Sequence, residues 1–140
     1  MPQVRGGLQS TAHTLAKGLT SCGHRVTVLA GFTNNGGLSF ACKAQRKLLR
    51  RRLSIDSLHG YEIFRALDPI QELSDVLHFE RQDVAVCMSG EIARSTSILK
   101  SGGVSVILQL HDLLFDTLGG TLLDFRRINS VAVSSFVAER

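Results

Sequence analysis

Val104-Ser-Val-Ile-Leu-Gln-Leu-His-Asp112 decides the fold class of this 140-residue chain. It is an apolar, partly β-branched run, preceded by Gly102-Gly103 and broken off at the polar pair His111-Asp112, which is the pattern of a buried strand. Working backward, Glu91 to Lys100 has helical character, and Asp83-Val-Ala-Val-Cys-Met88 is a short continuous apolar run, as in a strand covered on both faces. Ile70, Leu73, Val76 and Leu77 mark another helix, and Gly60 to Leu67 alternates as a strand that Pro69 closes. Further back, His24-Arg-Val-Thr-Val-Leu-Ala30 is a strand ended by Gly31. Before it, Leu8, Ala12, Leu15, Ala16 and Leu19 fall on one helical face, with Ser10 or Thr11 to cap its start and Gly23 just past its end. Forward of the opening stretch, Asp112 to Arg127 is mixed, and Ser130 to Val133 is a last short strand.

Strands alternating with helices predict an α/β fold: a Rossmann-like, mainly parallel sheet with helices on both faces, in a single domain spanning residues 1–140. In such sheets ligands bind beyond the carboxyl ends of the strands. The loops after the strands are therefore the places to look for chemistry, and the strand middles and helices are packing.

Composition narrows the function classes. With 44% hydrophobic and 20% charged residues, the chain is too apolar to be disordered. It has no tryptophan and one tyrosine, Tyr61, which argues against an aromatic-rich carbohydrate-binding module or a base-stacking surface. The net charge of +4 is local: Lys43, Arg46, Lys47, Arg50, Arg51 and Arg52 lie in ten residues with no acid, and the remainder carries ten basic against twelve acidic residues. Cys22, Cys42 and Cys87 show neither metal-ligand spacing nor a C-x-x-C pair, so the expectation is a reducing compartment and no metal. The polar, glycine-rich start resembles no signal peptide, and the apolar runs are too short to span a bilayer. The expected location is cytoplasmic, with peripheral contact at the inner face of a membrane open.

Four features carry candidate chemistry. Arg5-Gly6-Gly7-Leu8 stands directly before a helix, where adjacent glycines allow close backbone approach and the helix start offers unpaired N–H groups to a phosphate or a sugar hydroxyl; a tight turn explains the same residues. His111-Asp112 emerges at the end of the clearest strand, where an imidazole could bond a sugar hydroxyl or stabilise charge on a leaving phosphate. The alternative there is a histidine satisfying loop carbonyls, with Asp112 as a cap. Ser89-Gly90-Glu91 follows another strand, and Ser89 suits either ligand contact or a helix cap. The basic segment, with Leu48, Leu49 and Leu53 on one side, fits a helix lying on anionic lipid through Arg46, Lys47, Arg50 and Arg51. A solvated surface helix accounts for it equally, and nucleic acid ranks last because no aromatics are interleaved. The other histidines (His13, His24, His59 and His78) are scattered, with no pair at metal spacing.

Taken in order, the Pro2 and Gly6-Gly7 loop, "GHRVTVLAG", "DVAVCMSG", "VSVILQLHD" and "INSVAVSSFVAER" resemble the N-terminal domain of family 4 glycosyltransferases of the GT-B fold, over nearly the whole chain and most weakly from Thr33 to Ser57. The resemblance implies transfer of a sugar from a nucleotide-sugar to a sugar or lipid-linked acceptor, with retention of configuration and no metal or other cofactor. It matches Gly6 and Gly7 to the loop that approaches donor phosphates and acceptor. It matches His111 to the histidine near the transferred sugar, hence a catalytic role, and Asp112 to the acid beside it. Basic helices of this domain dock membrane-bound members to anionic lipid.

The family also has a first strand before the glycine loop, where this sequence has only Met1 ahead of Pro2, and a donor-binding domain beyond the equivalent of Arg140. Glu72 and Glu80 have the spacing of that domain's glutamate pair but lack its glycine- and alanine-rich surroundings, so the match is rejected. The resemblance thus implies an acceptor-binding half, missing its first strand and inactive alone, completed by a donor-domain partner or by self-association. The alternative is a non-catalytic Rossmann-like interaction module, a degenerate relative of such an enzyme.

Overall fold

A computed structural model describes residues 6–32, 44, 47, 53–57, 59–111 and 128–132. Its elements, in chain order, are helix α1 (Gly7–Ser21), strands β1 (Thr27–Gly31), β2 (Ser54–Asp56) and β3 (Glu62–Ala66), helix α2 (Leu73–Phe79), strand β4 (Val84–Cys87), helix α3 (Ile92–Ser101), and strands β5 (Ser105–Leu110) and β6 (Asn129–Ala132). The fold is mixed α/β, with two open three-stranded sheets, ordered β1-β3-β2 and β4-β5-β6. The chain divides into two compact units, Met1–Glu72 and Leu73–Arg140, with one sheet in each.

In the first unit, β1 and β3 run parallel with Val28 opposite Ile63, and β2 runs antiparallel to β3 with Asp56 opposite Ile63. Strand alternation then places Val28, Ala30, Ile63, Arg65, Ser54 and Asp56 on one face. Ala16 of α1 packs against that face, in a cluster with Tyr61, Ile63, Val26, Val28 and Ala30. The helix starts earlier than Ser10 or Thr11: Gly6 is its N-cap in extended conformation, and the Thr11 hydroxyl donates back to the Gly7 carbonyl at 2.9 Å. A threonine that bonds its own helix one turn back does not cap it. The end is as expected. Gly23 has φ +87°, its N–H reaches the Thr20 carbonyl and that of His24 reaches Leu19, a Schellman closure. Strand β2 falls in the stretch from Thr33 to Ser57, where the resemblance is weakest, and pairs antiparallel with β3, with the Gly60 N–H donating to the Ser57 carbonyl between them.

In the second unit, all three strands are parallel, with Val86 opposite Ile107 and Ile107 opposite Asn129. One face holds Ala85, Cys87, Val106, Leu108 and Leu110, and packs under Ile92 and Leu99 of α3 and Leu73 and Leu77 of α2. Helix α3 also ends in a Schellman closure, with Gly103 at φ +76° and the flanking Leu99 and Val104 in one cluster. The opposite face is less covered than the sequence suggests. Val84 is 51% exposed, Val86 38% and Val131 56%, so β4 is buried on one face, not two. The continuous apolar run Asp83–Met88 is correct as a strand but misleads about its second face, because an uncharged β-branched face looks the same in sequence whether or not a layer lies on it.

Among the described residues no helix is long and apolar enough to cross a membrane.

Candidate functional site

The expected site residues distribute between the two units. In the second, β4 and β5 are adjacent and parallel, with Cys87 opposite Leu108. Ser89, just past the end of β4, and His111, just past the end of β5, therefore leave the sheet at the same carboxyl edge. Gly90 takes a left-handed conformation (φ +90°), which a side chain would strain, and this turns the chain from β4 into α3. Ile92, in the first turn of α3, is fully buried against Leu108 and also touches Cys87 and Leu110, so the amino end of α3 is seated over this edge.

The N-cap of α3 is Glu91 and makes no side-chain cap bond; Ser89 is exposed and caps nothing. His111 is half-buried and its Nε2 is buried with no hydrogen-bond partner. A buried imidazole nitrogen without a partner is costly, by about 1–3 kcal/mol. The Cys87 thiol is pushed up by burial, against a smaller opposing effect of its bond to Ser95, so it stays protonated and chemically quiet.

In the first unit, Gly6 and Gly7 stand at the amino end of α1. The first turn of that helix has no acidic residue and no side-chain cap. The Gln9 carboxamide folds back over Gly6, where a Cβ would collide with it, whereas a Cβ on Gly7 would meet nothing within 4 Å. The leading N–H groups of α1 thus lack intrahelical partners and are backed by the helix dipole. Asp112, Arg46, Arg50 and Arg51 lie outside the described residues. Lys47 is helical and exposed, and so is Ala44.

A second constellation escaped the sequence reading. His13 of α1 and His59 of the β2–β3 turn, taken above as scattered, lie with ring centroids 5.2 Å apart at 78°. His13 Nδ1 and the Tyr61 hydroxyl share a hydrogen bond at 2.8 Å, and the His59 and Tyr61 rings stack at 6.1 Å. On the same face of the sheet, Arg65 Nε donates to Asp56 Oδ2 at 2.8 Å, with the two side chains only 3% and 13% exposed. Asp56 Oδ1 and the Ser54 hydroxyl are buried there without partners. Burial, and then the Asp56 carboxylate, push the Tyr61 hydroxyl up. Burial, and then the positive charges of the N-terminus and of His13, pull the His59 imidazole down against a smaller opposing effect of Asp56.

The sequence signal for this cluster is parity alone. Tyr61, Ile63 and Arg65 alternate onto one face of β3, and His13 shares a helical face with Ala16. No group of three or more potential metal ligands occurs among the described residues. No protein family, curated protein or solved structure gives a significant match to this chain.

Proposed function

We propose that the chain is the acceptor-binding half of a retaining glycosyltransferase, built on a Rossmann-like domain, which moves a sugar from a nucleotide-sugar once a donor-binding domain is supplied. The observation that carries the reading is the carboxyl edge of β4 and β5. Ser89 and His111 emerge there side by side in the strand order, and His111 presents a buried Nε2 without a partner. Such an imidazole can accept a hydrogen bond from an acceptor hydroxyl, or donate one to an oxygen that gains charge as the sugar–phosphate bond breaks. Gly6 and Gly7 would offer α1 amides to phosphate or hydroxyl groups, and Asp112, next in sequence to His111, would contribute to substrate binding. In this reading donor and acceptor meet only when the second domain closes, so the chain alone turns nothing over. Lys47, with Arg46, Arg50 and Arg51, would hold the half-enzyme on anionic lipid where a lipid-linked acceptor is presented.

The test supplies a separately produced donor-binding domain of a retaining GT-B enzyme together with UDP- and GDP-sugars, and measures release of nucleoside diphosphate. Release is expected only with both chains present, and His111→Ala should lower it by about 100-fold, the scale of a lost transition-state hydrogen bond. Release that survives His111→Ala unchanged removes His111 from the reaction. No release with any donor removes the transferase reading.

One observation favours a second reading, the non-catalytic interaction module. The β4-β5-β6 sheet leaves Val84, Val86 and Val131 exposed on one face, and parallel sheets are ordinarily covered on both.

A further inference from the structure

The rings of His13, His59 and Tyr61 join parts of the chain that are distant in sequence. His13 lies midway along α1, and His59 and Tyr61 flank Gly60 at the entry to β3. The 2.8 Å bond between His13 Nδ1 and the Tyr61 hydroxyl therefore ties α1 to its sheet.

This tie tolerates one added proton. A His13 imidazolium donates from Nδ1 to the tyrosine oxygen, so the bond persists. A second proton, on His59, sets two cations with centroids 5.2 Å apart in a half-buried place. The neighbouring charges offer little relief. The Asp56 carboxylate of β2 favours a proton on His59, but the N-terminal charge and Arg65 of β3 oppose it, and Asp56 is engaged by Arg65 at 2.8 Å. Glu62 of β3 is turned to the other face by alternation and bridges Arg25 at 3.9 Å. Lys17, one turn along α1, is exposed and adds a further positive charge.

We propose that the His13–His59–Tyr61 cluster is a pH-operated latch, holding α1 to its sheet while at most one imidazole is charged and releasing it when both are. Its output is the amino end of α1, which carries Gly6 and Gly7, so acidification loosens whatever that helix start contributes to binding. The latch stands independently of the glycosyltransferase reading, because it needs only the packing of α1. The lowered affinity of His59 for a proton, caused first by burial and then by the charges of the N-terminus and of His13, agrees with the geometry. It also fixes the sign. The folded chain holds fewer protons than the unfolded one, so the stabilisation is present above the ordinary imidazole value of 6.5 and is lost as pH falls below it.

The test is an NMR titration of the full chain from about pH 8 to about pH 5, across the imidazole range, combined with amide hydrogen exchange corrected for its intrinsic pH dependence. His59 should titrate below the ordinary imidazole value of 6.5, and should move up toward it in His13→Gln. Protection of the α1 amides should fall by about tenfold between pH 7.5 and 5, and by much less in His59→Gln. A His59 that titrates at or above the ordinary imidazole value overturns the latch, as does α1 protection that ignores pH. If a variant does not fold, the titration and exchange of the unsubstituted chain still decide between these outcomes.

Discussion

The two units are made from the same parts, a three-stranded sheet with helix packed on one face, yet their interiors are held together differently. The face of β1-β3-β2 under α1 mixes apolar side chains with a buried ion pair, Asp56–Arg65, and a ring cluster containing two imidazoles. The face of β4-β5-β6 under α2 and α3 is aliphatic, with Ile92 and Leu108 fully buried, while its other face is left open. An apolar core tolerates changes of shape and loses stability in proportion to what is removed. A polar core is more demanding, since each group depends on its partner being present.

The largest test of that contrast is Asp56→Ala. It strands the Arg65 guanidinium, 3% exposed, in the first unit and should cost about 4 kcal/mol in urea unfolding. Replacing both partners, as Asp56→Leu with Arg65→Met, should recover most of the loss. If the double variant is no better than the single one, the ion pair is not what makes this core demanding.

Next comes Leu108→Ala in the second unit, where a fully buried side chain is truncated within an aliphatic cluster, at about 3 kcal/mol. Leu108→Met keeps the volume and should lose under about 1.5 kcal/mol. An equal loss in the two variants would mean that the aliphatic core is as particular as the polar one.

A smaller effect is expected at Gly103, whose φ of +76° puts any Cβ in the left-handed region; Gly103→Ala should cost about 1–2 kcal/mol by thermal unfolding, although no atom obstructs the new methyl. The smallest is Val86→Thr on the open face, expected to stay within about 0.5 kcal/mol. A loss several times larger would show that this face is covered in solution, and the contrast between the units would then be one of polarity alone.

Much of the secondary structure was legible in the sequence. The runs Gly60–Leu67, Asp83–Met88 and Val104–Leu110 became β3, β4 and β5 within a residue or two, because β-branched runs bounded by glycine or proline leave few alternatives. Both Schellman glycines, Gly23 and Gly103, sat where helices were expected to end. The start of α1 was placed too late, since Ser10 and Thr11 have cap chemistry but lie inside the helix, where the Thr11 hydroxyl bonds the Gly7 carbonyl. Strand β2 was missed because three residues are too few to show a period, and the pairing that creates it is long-range.

For the site, the sequence identified Ser89 and His111 by their place after strands, but not the unpartnered Nε2 of His111. The meeting of His13 with His59 was not readable at all. It depends on how α1 lies across β3, which the spacing within either element does not specify. The grouping of strands into two sheets is similarly a matter of hydrogen-bond partners, which alternation of strand and helix does not specify.

Cys87 has a use beyond packing. Its thiol is half-buried, lies under α3, bonds Ser95 and resists ionisation, whereas Cys22 at the end of α1 is exposed. A thiol reagent should therefore modify Cys22 at once and Cys87 only during excursions in which β4 and α3 part. With the modified sites resolved by mass spectrometry, the chain carries its own clock for the opening of the β4–α3–β5 layer, timed by chemistry and needing no engineered label.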